Sequence, residues 1–222
     1  MMPKAVLFDM DGTLIDSEHL WLEAERLVMT ALGGSWSEAD QRECLGGPLE
    51  RVIDYMLAKV TSPLSAGEAM ELLLATMEQL LRTTPLQWRP GARTLVDETL
   101  SLGIPTALVT ASWRRLIDAV EWAIDHDLGR SAFTLTIGGD EVENTKPHPE
   151  PYQEAARRLG FTPGECLALE DSPTGTASAS AAGCRVIAIP HIAQIADSPG
   201  VVQIPTLEGC SVQSLWQLHD RH

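Results

Sequence analysis

The segment that decides the fold is AVLFDMDGTLIDSE, residues 5–18. Four apolar residues predict a buried strand, and Asp9 and Asp11 follow it directly. In an extended chain, residues two apart lie on the same face, so the two carboxylates would lie close together. Like charges that are buried together are costly unless a cation, a proton or solvent compensates them. Solvent is the simplest alternative, with both aspartates in an ordinary turn before Gly12.

Charge and composition exclude several classes of function. The 222 residues include 16 Lys and Arg against 31 Asp and Glu, a formal net charge of −15. Nucleic acid and anionic membranes are therefore poor partners. We find no apolar run of membrane-spanning length, and the N-terminal apolar run is too short for a secretory signal, so a cytoplasmic protein is expected. The four cysteines are far apart and form no C-x-x-C pair, which favours reduced thiols.

Two kinds of pattern divide the chain. Apolar residues at helical spacing predict four helices with no strand between them, at 17–32, 37–45, 49–60 and 65–82. Beyond them, strands are predicted at 104–110, 133–137, 166–170, 185–189 and, less strongly, 201–204, with helices at about 90–102, 112–124, 149–160 and 174–182. This alternation indicates a parallel sheet covered on both faces. We therefore expect an α/β fold: a Rossmann-like core of residues 1–15 and 86–222, with residues 16–85 inserted as a small α-helical cap domain.

Polar residues gather after the predicted strands, where ligands bind in open parallel sheets. They are Asp9 and Asp11 after the first strand, Thr110 and Ser112 after the second, Lys146 beyond the third, and Glu170 and Asp171 at the fourth. The aspartates offer the hard oxygen ligands that suit Mg²⁺. The lysine, the threonine hydroxyl and the amides of a helix starting near Ser112 offer positive potential and hydrogen bonds to an oxyanion. A phosphate therefore fits this edge, despite the net charge.

Four motifs occur in order along the chain: FDMDGTLIDSE, ALVTAS, TKPHPEPY and ALEDSPTGTASASAAG. With them the chain resembles the haloacid dehalogenase-like superfamily of aspartyl-phosphate phosphotransferases. The helical block resembles the small cap domain of the group that holds β-phosphoglucomutase and many small-molecule phosphatases. The resemblance implies phosphoryl transfer from a small phosphomonoester through an aspartyl-phosphate.

The resemblance also implies residue roles. Asp9 would attack phosphorus, and Asp11 would protonate the leaving alkoxide and then deprotonate water. Thr110 and Lys146, with the backbone at Ala111 and Ser112, would hold the phosphoryl group. Mg²⁺ would bind Asp9, Asp171 and the backbone carbonyl of Asp11. Glu170 would bind the ion directly or contact one of its ligands.

Two departures concern the cap. Trp21 stands where β-phosphoglucomutase has a histidine, and Leu49 falls where it has an arginine for a second phosphate, with Arg51 close but out of register. Both departures favour a phosphatase over a mutase. The cap residues expected to touch substrate are Trp21, Gly46, Gly47 and Arg51.

The sequence thus predicts a Mg²⁺-dependent phosphatase of a small sugar, polyol or glycolate-like phosphomonoester. Two alternatives stay open: a β-phosphoglucomutase-like sugar phosphomutase, and a catalytically idle protein that binds a phosphometabolite or a protein partner. The intact set of Asp9, Asp11, Lys146 and Asp171 argues against the idle protein, because such a charge cluster is costly without a ligand. A monomer is expected by default, with no nucleic acid or membrane as partner.

Overall fold

The computed structural model of the chain describes residues 2–44 and 49–219, so the predicted substrate contacts Gly46 and Gly47 lie outside the described residues. The chain forms two compact units. One comprises the chain up to Asp16 together with the chain from Leu86 onward, and we call it the core unit. The other, Ser17–Pro85, is the helical unit.

The core unit contains a parallel sheet. Its strands are β1 (Ala5–Phe8), β2 (Thr106–Val109), β3 (Leu135–Ile137), β4 (Cys166–Glu170), β5 (Arg185–Ala188) and β6 (Val201–Gln203). The spatial order is β3-β2-β1-β4-β5-β6, and every pairing is parallel. The chain runs outward from β1 to β3 and then returns beside β1 with β4. This change of direction marks the sheet edge at which open α/β folds bind ligands. The predicted α/β class with a Rossmann-like sheet is confirmed.

Helices account for most of the remaining chain. They are α1 (Glu18–Ala31), α2 (Glu38–Cys44), α3 (Leu49–Ala58), α4 (Ala66–Thr83), α5 (Ala92–Ser101), α6 (Arg114–Leu128), α7 (Glu150–Leu159), α8 (Pro173–Ala182) and α9 (Val212–His219). The first four form the helical unit. Here α4 packs against α1 and α3, and its start is held by a capping box between Ser65 and Glu68. No helix among the described residues is long and apolar enough to cross a bilayer.

One face of the sheet is covered by α7 and α8. Their inward residues are small, apart from Tyr152 in the first turn of α7, which is completely buried. The facing strand residues share this core: Leu7, Ala107, Val109, Ala168 and Val186. The small residues let the helices pack close to the strands. The Tyr152 ring packs in the same core, against the strand residues.

Two helices differ from the prediction. The helix expected from Ser112 begins at Arg114, because the Ser112 N–H donates to the Thr110 hydroxyl (3.0 Å) and the Arg114 N–H donates to Asp140 (2.9 Å). Ser112 therefore belongs to a loop and not to a helix N-terminus. The last helix, α9, was not predicted, although Val212, Leu215 and Trp216 form a short buried stripe at helical spacing.

Candidate active site

Strand register brings the predicted acidic residues together. Phe8 pairs with Leu169, so Asp9 and Glu170 leave neighbouring strands at the same level, and the Asp9 N–H donates to the Leu169 carbonyl (3.0 Å). On the other side of β1, Phe8 pairs with Leu108, so Thr110 follows β2 at the same edge. Three of the predicted site residues thus converge because their strands end together.

Lys146 lies at the centre of this edge. Its Nζ donates to Asp9 Oδ1 (2.7 Å), Glu170 Oε1 (2.5 Å) and the Val109 carbonyl (2.8 Å), and its side chain is only 4% exposed. Burial alone would lower the pKa of Lys146, but the Asp9 and Glu170 carboxylates raise it above its usual value. The ammonium therefore stays charged, and all three of its N–H bonds are used.

Glu170 is fully buried, and polar groups surround its carboxylate. The Tyr152 hydroxyl donates to the same Oε1 that Lys146 contacts (2.5 Å), and the Ser172 hydroxyl lies 3.4 Å from Oε2. Burial, followed by the charge of Asp9, raises the pKa of Glu170 to about 7, although Lys146 and Tyr152 act in the opposite direction. A Cβ on Gly175 of α8 would overlap this carboxylate, so only glycine leaves room for it.

The carboxylates of Asp9, Glu170 and Asp171 form a cluster in which one oxygen from each residue lies within 4.8 Å of the other two. Burial, and then the charges of Asp9 and Glu170, raise the pKa of Asp171 to about 9. Burial therefore disfavours the charged form of Asp171, the neighbouring carboxylates add to this effect, and Lys146 opposes it. The all-oxygen donor set suits a hard divalent cation such as Mg²⁺, so these residues fit the metal that the sequence predicts.

Asp11 lies at the same edge and is held from the β2 side. The Ser112 hydroxyl donates to Asp11 Oδ2 (2.8 Å), and the Gly139 N–H in turn donates to the Ser112 carbonyl (2.9 Å). Gly12 directly follows Asp11 and turns the chain with a φ of 82°. A side chain there would be strained and would meet Asp171. The structure thus brings together the predicted residues Asp9, Asp11, Thr110, Ser112, Lys146, Glu170 and Asp171.

The predicted substrate contacts of the cap lie in the helical unit. Trp21 is partly exposed on α1, and Arg51 is exposed on α3. The Arg51 guanidinium donates to the Glu43 carbonyl (2.7 Å) and lies 3.7 Å from the Glu43 carboxylate. Their role toward a substrate stays a prediction.

Two residues at this edge were not predicted. Tyr152 stands in the TKPHPEPY motif, but its spacing from Ala155 and Ala156 is that of a core position and gives no sign of a polar role. His191 follows β5, and its Nδ1 is buried near Gly12 without a hydrogen-bond partner among the described residues. Burial, with the positive charge of Arg89, lowers the pKa of His191.

Comparison with known proteins identifies the family. A sequence profile of the haloacid dehalogenase-like hydrolases matches residues 6–189. The chain is 32% identical to protein CbbY of Rhodobacter capsulatus over 97% of this chain and 98% of that protein. It is 35% identical to hexitol phosphatase B of Escherichia coli (strain K12), over 84% of this chain and 83% of that protein. A solved structure of CbbY from Rhodobacter sphaeroides, in complex with xylulose-(1,5)bisphosphate, superposes with a TM-score of 0.83 at 27% identity and covers 96% of this chain and 99% of that one.

These matches span the described core unit from β1 to the end of β5, which includes every strand that contributes to the acidic edge. The predicted enzyme class, a phosphoric monoester hydrolase of the haloacid dehalogenase type, is confirmed at the level of the family. This chain belongs to the haloacid dehalogenase-like hydrolase family.

Proposed function

We propose that this protein is a Mg²⁺-dependent phosphatase that hydrolyses a small phosphorylated sugar or polyol through an aspartyl-phosphate at Asp9. The observation that carries the proposal is the position of Lys146, whose buried ammonium contacts both Asp9 and Glu170. A cation fixed beside an acidic nucleophile attracts the oxygens of an incoming phosphoryl group, which the net charge of −15 would otherwise repel.

Asp9 is the proposed nucleophile and Asp11 the proposed acid and base. Asp9 would attack phosphorus while Asp11 gives a proton to the leaving alkoxide, and Asp11 would then accept a proton from the attacking water. The hydrogen bond from Ser112 to Asp11 supports this division of roles, because it holds the Asp11 side chain by a partner that Asp9 does not share. Thr110 and Lys146, with the backbone at Ala111, would hold the transferring group.

Mg²⁺ would be held by Asp9, Asp171 and the backbone carbonyl of Asp11, with Glu170 nearby. When bound, it supplies positive charge that lowers the cost of the developing phosphoryl charge. Supporting this, one oxygen from each of the three clustered carboxylates lies within 4.8 Å of the others, and Lys146 contacts only Asp9 and Glu170 among the three.

Substrate choice is proposed to lie with the helical unit, acting as the cap domain. Exclusion of water and selection of the substrate are the usual tasks of such a domain. Trp21, Gly46, Gly47 and Arg51 remain the proposed contacts. The relatives suggest the substrate class: one is named for hexitol phosphates, and CbbY binds xylulose-(1,5)bisphosphate in a solved structure.

The four free cysteines agree with the proposed cytoplasmic location.

The test is phosphate release from a panel of hexitol, pentose, hexose and glycolate phosphates and xylulose 1,5-bisphosphate, with and without Mg²⁺. We expect Mg²⁺-dependent release by the wild type and a loss of roughly a thousandfold or more in Asp9→Asn, because the nucleophile is removed. Asp54→Asn, an exposed aspartate on α3, is the matched control and should stay active.

Absence of release from every compound would contradict the phosphatase. Conversion of β-glucose 1-phosphate to the 6-phosphate would then favour the mutase. Inactivity there as well, with retained phosphate binding in Asp9→Asn, would favour the binding protein.

A further inference from the structure

Tyr152 is a buried tyrosine whose hydroxyl faces the candidate active site. Its ring fills the core between α7 and the sheet, and none of its surface is exposed. The hydroxyl donates to Glu170 Oε1 at 2.5 Å. A phenylalanine would fill the same space, so core packing does not explain the hydroxyl group.

The hydrogen bond from Tyr152 is the first of a series that ends at the proposed nucleophile. Glu170 Oε1 accepts from Tyr152 and from Lys146 Nζ, and the same Nζ donates to Asp9 Oδ1. The remaining N–H of the ammonium is bound by the Val109 carbonyl. Lys146 is therefore shared between two carboxylates, and Tyr152 contacts only the one that is farther from the proposed chemistry.

We propose that Tyr152 is a positioning residue of the phosphoryl site. Its hydroxyl donates to Glu170 Oε1 and stabilises the negative charge there, and so weakens the attraction of that oxygen for Lys146. The ammonium then stays divided between Glu170 and Asp9, where its positive charge attracts a phosphoryl oxygen although its three N–H groups already have acceptors. This inference rests on the proposed function, because it takes Asp9 and Lys146 to be the groups that meet the phosphoryl.

The ring and the hydroxyl of Tyr152 have separable effects. Lys146 Nζ lies 5.2 Å from the ring centroid, within the range of a cation–π interaction. Tyr152→Phe keeps the ring and its packing and removes only the donor to Glu170. Any effect of this substitution on phosphate binding therefore reports on the hydroxyl group.

The chain supplies a matched control. Its second tyrosine, Tyr55 in the helical unit, also donates its hydroxyl to a carboxylate, Asp40 Oδ1 at 3.1 Å. Tyr55→Phe makes the same chemical change at a site without a proposed role in phosphoryl transfer.

The experiment compares wild type, Tyr152→Phe and Tyr55→Phe. Calorimetric titration with inorganic phosphate in the presence of Mg²⁺ measures the anion affinity, and a separate titration measures Mg²⁺ affinity. Steady-state kinetics on the best substrate gives kcat and KM, and thermal unfolding reports stability. We expect Tyr152→Phe to weaken phosphate binding roughly tenfold and to lower kcat/KM by about 10- to 100-fold, as loss of a hydrogen bond to a charged group does. Tyr55→Phe should leave all of these binding and kinetic constants unchanged.

A double-mutant cycle tests whether Tyr152 acts through Glu170. In a Glu170→Gln background, the additional Tyr152→Phe change should have little further effect on phosphate affinity, because the negative charge that the hydroxyl stabilises is gone. Equal effects of Tyr152→Phe with and without Glu170→Gln would overturn the proposal.

Other outcomes are equally decisive. If Tyr152→Phe lowers the unfolding temperature but binds phosphate as the wild type does, its role is structural and the proposal is wrong. If the wild type binds phosphate but hydrolyses no substrate, the proposed function fails, while the phosphate titrations still decide the role of Tyr152.

Discussion

Among the described residues, each unit of the molecule buries one glutamate, and the two are held in different ways. In the core unit, Glu170 contacts a charged lysine and a tyrosine hydroxyl. In the helical unit, Glu25 on α1 is 5% exposed and accepts a hydrogen bond from the Trp36 ring N–H (2.7 Å), with no cation in contact among the described residues. Burial is the largest cause that raises each pKa, in both cases to about 7.

The different partners indicate a structural role for Glu25 and a functional role for Glu170. Glu25 has a neutral hydrogen-bond partner, burial favours its protonated form, and it behaves as a buried polar group of the helical core. Glu170 lies beside three further charged residues, Asp9, Asp171 and Lys146. Such a cluster of charged groups is typical of a site that binds a charged ligand or carries out catalysis. Substitutions that remove one partner at a time can separate these two cases.

The largest effect is expected from Lys146→Met. Removal of the only cation in contact with Asp9 and Glu170 among the described residues leaves buried negative charge unpaired, at a cost of about 3–5 kcal/mol in the free energy of unfolding without metal. Phosphatase activity should disappear as well. Urea unfolding measures the loss, and added Mg²⁺ should recover part of it.

Lys59→Met is the control in the helical unit. Lys59 pairs with Asp40, but its side chain is one-third exposed, so the loss should be no more than about 1 kcal/mol. Similar losses in the two variants would remove the distinction between the two units.

The second effect is a pH dependence carried by Glu25. Its pKa is raised from 4.5 to about 7, so the folded protein binds this proton more tightly than the unfolded chain does. The associated stability is fully present below pH 4.5 and is lost as pH rises through about 7, by up to about 3 kcal/mol. Glu25→Gln should abolish this component. Parallel curves of unfolding free energy against pH for wild type and variant, between pH 4.5 and 8, would contradict the assignment.

The third effect compares two helical glycines. Gly175→Ala would push a methyl group into the Glu170 carboxylate, and we expect a loss of about 1–3 kcal/mol with a large loss of activity. Gly67→Ala, near the start of α4, meets nothing within 4 Å and should stabilise the protein by up to about 1 kcal/mol. Thermal unfolding of both variants checks the opposite signs.

The smallest effect is expected from Ser112→Ala. Asp11 loses one hydrogen bond, so kcat should fall by about tenfold, with a stability change of about 1 kcal/mol or less. Ser37→Ala is the matched control, because the Ser37 hydroxyl also donates to an aspartate, Asp40 Oδ2 at 2.7 Å, but in the helical unit. Unchanged kcat in Ser112→Ala would argue against a role for this hydrogen bond in the proposed acid and base chemistry.

The sequence predicted more of the strands than of the contacts between them. The apolar run before Asp9 and the turn at Gly12 are local signals, and the structure has a strand and a left-handed glycine there. The start of α6 was placed two residues early because the partner that holds the Arg114 amide, Asp140, is distant in sequence. Tyr152 was missed for a similar reason: a core stripe on a helix does not reveal where a hydroxyl at its edge will point.

By itself, the sequence determined the α/β class and the set of polar residues that follow the strands. Both depend on periodicity and on where apolar runs end, which are properties of short segments. Which of those residues share a hydrogen-bond partner depends on the tertiary structure. Lys146 meets Glu170, Glu170 meets Tyr152 and Ser112 meets Asp11 through strand register and helix packing between segments 18 to 101 residues apart. Such contacts depend on how distant segments pack together in the core, and patterns within a short segment do not predict that packing.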